Sequence, residues 1–206
     1  MLMIDAILLA AGSSVRMGSV NKLTLNFGEQ TVLATVISHL KRSKVDRINV
    51  VVGHEHDQII KQIDNDSDVQ IIYNSIHRKG QMSSIQAAMG QVRDQSDGFM
   101  ICLGDMPSIT PEEYNYIIDN FSDIKRKQTA PIVRPVYKES VGHPVIFDPV
   151  YKHTIIDQSH QSKCQRIIDQ HRDSFIAIPV SSVNYFLDID NEEDYNRLIQ
   201  YASPNE

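Results

Sequence analysis

Apolar runs alternate with amphipathic stretches through the first half of the chain. Ile4 to Leu9, Arg47 to Gly53, Val69 to Tyr73 and Phe99 to Gly104 are short apolar segments, several of them rich in β-branched residues. Such runs predict strands buried on both faces, as in a parallel sheet. Between them, Thr31 to Lys41 puts Val32, Val36, Ile37 and Leu40 on one stripe, and Met82 to Val92 does so with Ile85, Met89 and Val92. That is the spacing of amphipathic helices. Thr110 opens another helix, with Pro111 at its first position and Glu112 and Glu113 in its first turn, a clear start signal. Alternation on this scale predicts βαβ units and an α/β fold whose mostly parallel central sheet carries helices on both faces.

The second half is less regular. Ala130 to Pro135, His143 to Phe147 and Ser174 to Val180 read as strands, Asp148 to Arg172 as helical and polar, and Asn191 to Tyr201 as a closing helix. Asp64 to Asp68 reads as a charged surface turn. No repeat, low-complexity segment or linker divides the chain, and 206 residues suit one domain, 1–206, with a proper core. No apolar run approaches a bilayer span. The apolar N-terminus has no charged n-region and reads as a buried strand rather than a signal peptide, so a cytoplasmic location is expected. Cys102 and Cys164 are too few for a disulfide framework, and Cys102, inside FMICL, reads as a small buried hydrophobe. The net charge of −6 speaks against a nucleic-acid partner, which wants a basic face. It does not oppose a nucleotide, which needs only a local positive pocket and a divalent cation. Lys41 to Lys44 reads as the solvated end of a helix, where cations complement the dipole.

The stretch from Leu8 to Lys22, LLAAGSSVRMGSVNK, carries most of the chemistry. A strand breaks there into small residues, whose backbone N–H groups can approach a ligand closely, with Gly12 and Gly18 permitting positive φ. Consecutive N–H groups make an anion cradle. Arg16 adds a planar fork and Lys22 a point charge. No Gly-Lys-Ser/Thr ends the loop and no G-x-G-x-x-G occurs in it, so it is neither a Walker A loop nor a dinucleotide fingerprint. A βα connection with merely solvated cations is the bland alternative. In open α/β sheets ligands bind beyond the carboxyl ends of the strands, where Ala10 to Lys22, Asn74 and Asp105 all fall. Asp105, in GDMP, is a carboxylate for a hard cation such as Mg²⁺ or a turn residue before Pro107. Asp190 is a second metal carboxylate or the N-cap of the last helix, and Asp188 takes the metal role if strand alternation turns it inward. Ser84 contacts a ligand or caps a helix. His143 meets an acceptor or is a turn residue satisfied by backbone. His54 with His56, and His160 with Cys164, lack the spacing and partners of a metal site.

Taken in order, LAAGSSVRMGSVNK (9–22), NSIHRKGQMSS (74–84), LGDMP (103–107), GHPVIF (142–147) and LDIDNEEDY (187–195) resemble the MobA-like nucleotidyltransferases, and within them the molybdenum cofactor cytidylyltransferase branch. The second segment is similar to that branch's N-P-x-W-x-x-G-M-x-x-S pattern. The resemblance implies a three-layer, Rossmann-like nucleotidyltransferase fold of GT-A type. It implies transfer of CMP from CTP to molybdenum-bound molybdopterin, with Mg²⁺ or Mn²⁺ as cofactor and a molybdenum hydroxylase as the receiving partner. Arg16 would hold the β- and γ-phosphates, Lys22 would bridge the α-phosphate and the acceptor phosphate, and Asp105 with Asp190 would hold the metal. Leu9, Ala10, Ala11 and Gly12, with Asn74, Gly80, Ser83 and Ser84, would surround the nucleotide, Ala11 limiting room for a purine. Gly142, His143 and Pro144 would face the acceptor. The chain departs from the pattern at Asn21, where many members have proline, at Ser75 and His77, which replace proline and tryptophan, and at Glu139, which often is glycine. Two alternatives stay open: a nucleotidyltransferase for a sugar or polyol phosphate, and a non-catalytic protein that delivers the cofactor. Arg16, Lys22 and Asp105 together speak against pure delivery.

Overall fold

A computed structural model describes residues 2–18, 20–63 and 68–202; four of the five residues of the expected charged turn, 64–67, lie outside them. In chain order the strands are β1 (Ile4–Ala10), β2 (Asn26–Phe27), β3 (Gln30–Thr31), β4 (Arg47–Val52), β5 (Val69–Tyr73), β6 (Gly98–Leu103), β7 (Ile132–Tyr137), β8 (Ser140–Val141), β9 (Val145–Phe147) and β10 (Phe175–Pro179). The helices are α1 (Val32–Lys41), α2 (His56–Ile60), α3 (Gln81–Met89), α4 (Pro111–Lys125), α5 (Tyr151–Ile156), α6 (Cys164–Gln170) and α7 (Glu192–Ala202). The main sheet runs β10-β7-β9-β6-β1-β4-β5, with β8 paired to β7, and β2 and β3 form a separate hairpin. β6, β1, β4 and β5 are mutually parallel. β9 is antiparallel to both β6 and β7, and β10 is parallel to β7. The sheet is therefore mostly parallel, with one reversed strand inside it.

Strand alternation sorts the apolar side chains into two cores, one on each face. Ile4, Ala6, Leu8 and Ala10 of β1, with Ile48, Val50 and Val52 of β4, pack against α1 and α4. Ile7 of β1, Val51 of β4, and Phe99 and Ile101 of β6 pack against α3, α5 and α6. These strands lack the polar alternation of a half-exposed sheet because both faces are covered. Local signals set the helix starts. Thr31 Oγ1 accepts from Ala34 N at 3.3 Å to cap α1. Thr110 and Glu113 form a reciprocal capping box at α4, at 3.2 and 2.8 Å. No helix among the described residues is long and apolar enough to cross a membrane.

Two expectations change. Val69 to Tyr73 is not buried: β5 is an edge strand, and Ile71 and Tyr73 are 39% and 56% exposed. An apolar run does not reveal whether a further strand will cover it. Asp148 to Arg172 is not one helical stretch but two short helices, α5 and α6, with the turn at Gln158–Lys163 between them. That turn is held by Gln86 of α3, whose Nε2 donates to the carbonyls of Ile155, Ile156 and Gln158 at 3.0, 3.1 and 2.8 Å. A tertiary contact of this kind leaves no local periodicity.

Among the described residues one charged group lies wholly inside. Asp5, the second residue of β1, is 0% exposed. Its carboxylate accepts from Arg93 Nε at 2.9 Å, from Arg93 N at 2.8 Å and from Ser96 Oγ at 2.7 Å, and it pairs with Arg93 Nη2. This knot fixes the segment between α3 and β6 to the start of β1. Arg93→Leu leaves the carboxylate buried without its counter-charge and is expected to cost about 3–5 kcal/mol, whereas Asp5→Leu combined with Arg93→Leu recovers much of the loss. Urea unfolding of the single and double variants reads this directly; equal midpoints for wild type and Arg93→Leu would contradict it.

Candidate active site between β1 and β6

After β1 the chain runs to β4 and β5 on one side and then crosses to β6 on the other side of β1. The carboxyl ends of β1 and β6 therefore flank a topological switch point, where such sheets leave a crevice. The loop after β1 enters it through two one-turn helices, Val15–Met17 and Lys22–Thr24. Ser14 and Gly18 take positive φ there, at 45° and 69°, while Gly12 does not. From the other side comes Asp105, at the turn after β6. Gly104 N donates to the Leu9 carbonyl at 3.0 Å. A Cβ on Gly104 would stand 2.9 Å from that carbonyl oxygen, so only glycine lets the turn lie this close to β1.

Lys22 joins the two sides. Its Nζ donates to Asp105 Oδ2 at 2.5 Å and to the Ile189 carbonyl at 2.6 Å, and lies 3.7 Å from Asp190 Oδ1. The segment carrying Asp188 and Asp190 is drawn in by Ile189 N, which donates to the Asp105 carbonyl at 3.1 Å. Asp105 does not act as a turn cap: Oδ2 faces Lys22, and Oδ1 is buried with no hydrogen-bond partner. Asp190 does not cap α7 either. Asn191 does, its Oδ1 accepting from Asp194 N at 3.0 Å, while Asp194 reaches back to Asp190 N at 3.3 Å. The Asp190 carboxylate is thereby left for Arg16 Nη1, with which it pairs.

These groups line a cavity of about 440 Å³ that includes Leu9, Ala11, Gly12, Lys22, Asp105 and Asp190. Asp188, also in its wall, has its carboxyl pushed above the usual range, first by burial and then by the neighbouring charges of Asp105 and Asp190, with Lys22 opposing. The cavity thus carries an excess of negative charge at its floor. Among the described residues, no group of three or more His, Cys, Asp or Glu side chains could hold a metal ion unaided. The fit to a hard cation rests on less: the partnerless buried Oδ1 of Asp105, with the Asp188 and Asp190 carboxylates in the same wall. Mg²⁺ and Mn²⁺ sites ask for one or two protein carboxylates, phosphates and water supplying the rest, and this donor set meets that requirement.

The opposite wall follows β5. Asn74 is 3% exposed, and its amide is fully used: Nδ2 donates to Ser83 Oγ and Ser84 Oγ, each at 3.0 Å, and Oδ1 accepts from Ile76 N at 3.0 Å. Ser83 in turn donates to the Gly80 carbonyl at 2.7 Å. Asn74 and Ser83 therefore shape the wall from behind and do not line the cavity, and Ala10, 1% exposed in β1, does not line it either. Gly80 and Ser84 do line it. Ser84 lies inside α3, one turn past its start, so the capping alternative for it does not hold. His77 and Arg78 also face the cavity. His77 reaches in because Gly53 has no side chain: a Cβ there would stand 2.7 Å from His77 Cβ and 2.9 Å from Ala11 Cβ. Burial, Arg78 and His54 lower the His77 pKa and favour its neutral form.

A second cavity, of about 340 Å³, lies beside the first and shares Leu103 and Asp188 with it. Gly142 and His143 line it, together with Met106 and Phe186, whereas Pro144 is buried behind them. His143 N donates to the Tyr185 carbonyl at 2.9 Å, while its ring Nδ1 is buried without a partner. Burial, then the Arg134 charge, hold its pKa down to about 4 against the opposing Ile101 backbone. The ring is neutral at pH 7.

Of the residues singled out from sequence, Lys22, Asp105, Asp190, Leu9, Ala11, Gly12, Gly80 and Ser84 meet around one cavity, and Gly142 and His143 around the adjoining one. Arg16 reaches the first only through Asp190. Its own surroundings are a neighbouring cleft with Met17, Val20 and Tyr195. Sequence reasoning passed over Ser13, His77, Arg78 and Gln81 as lining residues; the HRK triplet before Gly80 was the signal present for two of them.

Known proteins share this fold. A nucleotidyl transferase from Methanothermobacter superposes with a TM-score of 0.82 at 18% identity, over 97% of both chains. A Mycobacterium tuberculosis protein, solved in complex with manganese, does so with a TM-score of 0.76 at 21% identity, over 97% of this chain and 98% of the other. In sequence, the molybdenum cofactor cytidylyltransferase of Escherichia coli is 26% identical over 194 residues, 93% of each chain. Residues 6–175, which carry Lys22 and Asp105, match the MobA-like NTP transferase domain, and the chain belongs to that family of nucleotidyltransferases.

Proposed function

We propose that the protein transfers CMP from CTP to a phosphate of molybdenum-bound molybdopterin, releasing pyrophosphate. The observation that carries this reading is the pairing of Lys22 with Asp105 in the wall of the first cavity, which adjoins a second through Leu103 and Asp188. The similarity to the E. coli cytidylyltransferase over nearly the whole chain supports the donor and the acceptor.

An acceptor phosphate oxygen attacks the α-phosphorus of CTP. The bond from that phosphorus to the bridging oxygen breaks, and pyrophosphate leaves with the electron pair. The nucleophile is already an anion, so the chain needs no strong base. Its task is to align two anions and offset their repulsion. The Lys22 ammonium, in the wall of the first cavity beside Asp105, bridges the α-phosphate and the acceptor phosphate. Arg16 leaves Asp190 for the β- and γ-phosphates; an ion pair this exposed contributes only about 0–1 kcal/mol, so the exchange costs little. Asp105, with Asp188 or Asp190, would hold Mg²⁺ or Mn²⁺, which supplies charge neutralisation on the phosphates. The base lies toward Ala11, Gly12 and Ser84, where backbone N–H and C=O groups can read an amino donor and a carbonyl acceptor. Neutral His143 gives the acceptor a hydrogen-bonding edge without adding charge.

Asp105→Asn is expected to lower pyrophosphate release by about 10²–10³ or more while leaving the thermal midpoint near that of wild type. Turnover within a few-fold of wild type would remove Asp105 from the metal site. Arg16→Ala is expected to lose about 10³-fold or more if its role matches arginines in other phosphoryl transfers. Ala11→Gly frees the space between Gly53 and His77 and is expected to shift the CTP-to-GTP ratio of kcat/KM toward GTP by about tenfold, the usual worth of one buried methyl. The assay is pyrophosphate release with Mg²⁺, CTP or GTP, and the molybdenum cofactor. A sugar phosphate replaces the cofactor in a parallel arm, and turnover there alone would assign a different acceptor.

A further inference from the structure

The loop that presents Arg16 and Lys22 is tied down by a residue outside it. Asn21 is only 5% exposed, and its side chain works in two directions. Its Oδ1 accepts from Leu23 N at 3.1 Å, capping the one-turn helix Lys22–Thr24. Its Nδ2 donates to Glu55 Oε2 at 3.0 Å. Ser14, at the beginning of the same loop, donates Oγ–H toward Asn21 Oδ1 at 3.5 Å and accepts from Lys22 N at 3.3 Å. Ser14 and Asn21 thus close the loop on itself, and Glu55 fastens the closure to the turn between β4 and α2. Glu55 is held for this with left-handed backbone, φ 50°, a conformation uncommon for a non-glycine residue. His54 Nε2 lies 3.8 Å from the same Oε2.

We propose that Glu55 is a positioning residue: through Asn21 it fixes the one-turn helix that aims Lys22 at Asp105. It touches neither cavity and acts only through the loop. The geometric tolerance is small, because Lys22 Nζ must satisfy Asp105 and the Ile189 carbonyl together, and a misplacement of about 1 Å in a positioned group can cost about 10²-fold in rate. This deepens the proposed function and rests on it for its kinetic half, while its structural half stands alone.

The test compares Glu55→Gly with Glu55→Gln. Glycine suits the left-handed turn at no steric cost but removes the tether, whereas glutamine keeps an oxygen for Asn21. Three measurements are made on the full chain: thermal midpoint, amide hydrogen exchange at Lys22 and Leu23, and pyrophosphate release with CTP. For Glu55→Gly the expected results are an unchanged or raised midpoint, at least tenfold faster exchange at Leu23, and kcat/KM lower by about 10- to 100-fold. Glu55→Gln is expected to stay near wild type in exchange and to restore most of the activity. A role confined to the turn would spare the exchange rates, and unchanged exchange in Glu55→Gly overturns the proposal. Faster exchange in Glu55→Gly, with no turnover of CTP by the wild type, upholds the tether and overturns the proposed reaction instead.

Discussion

The Lys22 ammonium is the constraint on which the site depends. It joins residues 83 and 167 positions away in the chain, Asp105 and Ile189. The lysine and Asp105 side chains are only 15% and 16% exposed, whereas Arg16 and Asp190 are 71% and 43% exposed. Water screens the second pair and not the first, so the two contacts differ in kind. An exposed pair is weak and exchanges readily. A partly desolvated pair leaves a costly orphan if one member goes, and so its geometry is held. The loop after β1, the turn after β6 and the segment before α7 are thereby pinned to a common point, while Arg16 stays free to change partners.

Topology explains why a second cavity adjoins this point. A parallel sheet brings only strand ends to its carboxyl edge, and β1 and β6 end there. β9 runs the other way, with Val145 opposite Ile101 of β6, so it starts at the edge where β6 finishes. Gly142 and His143, just before it, are carried to the side of Asp105 by that reversal alone. Leu103 and Asp188 then form the boundary common to both cavities. A sheet of uniformly parallel strands would have placed the start of β9 at the far edge, away from the crevice.

The parts of the fold legible in the sequence are those fixed by local rules. The runs in β1, β4 and β6 and the caps at Thr31 and Thr110 are determined by burial and by the first turn of a helix, both visible within a few residues. The site was legible where its residues occur at strand ends, as with Lys22 and Asp105. It was not legible where side chains compete for one task. Asp190 and Asn191 are both suited to cap α7; Asn191 does so, and Asp190 pairs with Arg16 across the chain. Asn74 and Ser83 carry groups suited to a ligand, yet each is spent on the other. The break between α5 and α6 is made by Gln86, far along the chain, and Glu55 owes its place to the backbone turn after β4.

The charges at the floor of the crevice also bear on how a polyanion enters. Asp105, Asp188 and Asp190 share the cavity wall with Lys22, and Asp188 already resists ionisation, first because it is buried and then because of the other two. Three carboxylates would repel a bare triphosphate. On the proposed reading Asp105, with Asp188 or Asp190, would hold a divalent cation, which would offset that repulsion and give the partnerless Oδ1 of Asp105 a ligand. On the proposed reading the acidic floor is therefore selective: it favours a nucleotide that brings its own metal. Until then Lys22 and Arg16 are kept near their working positions by the same carboxylates that would hold the metal.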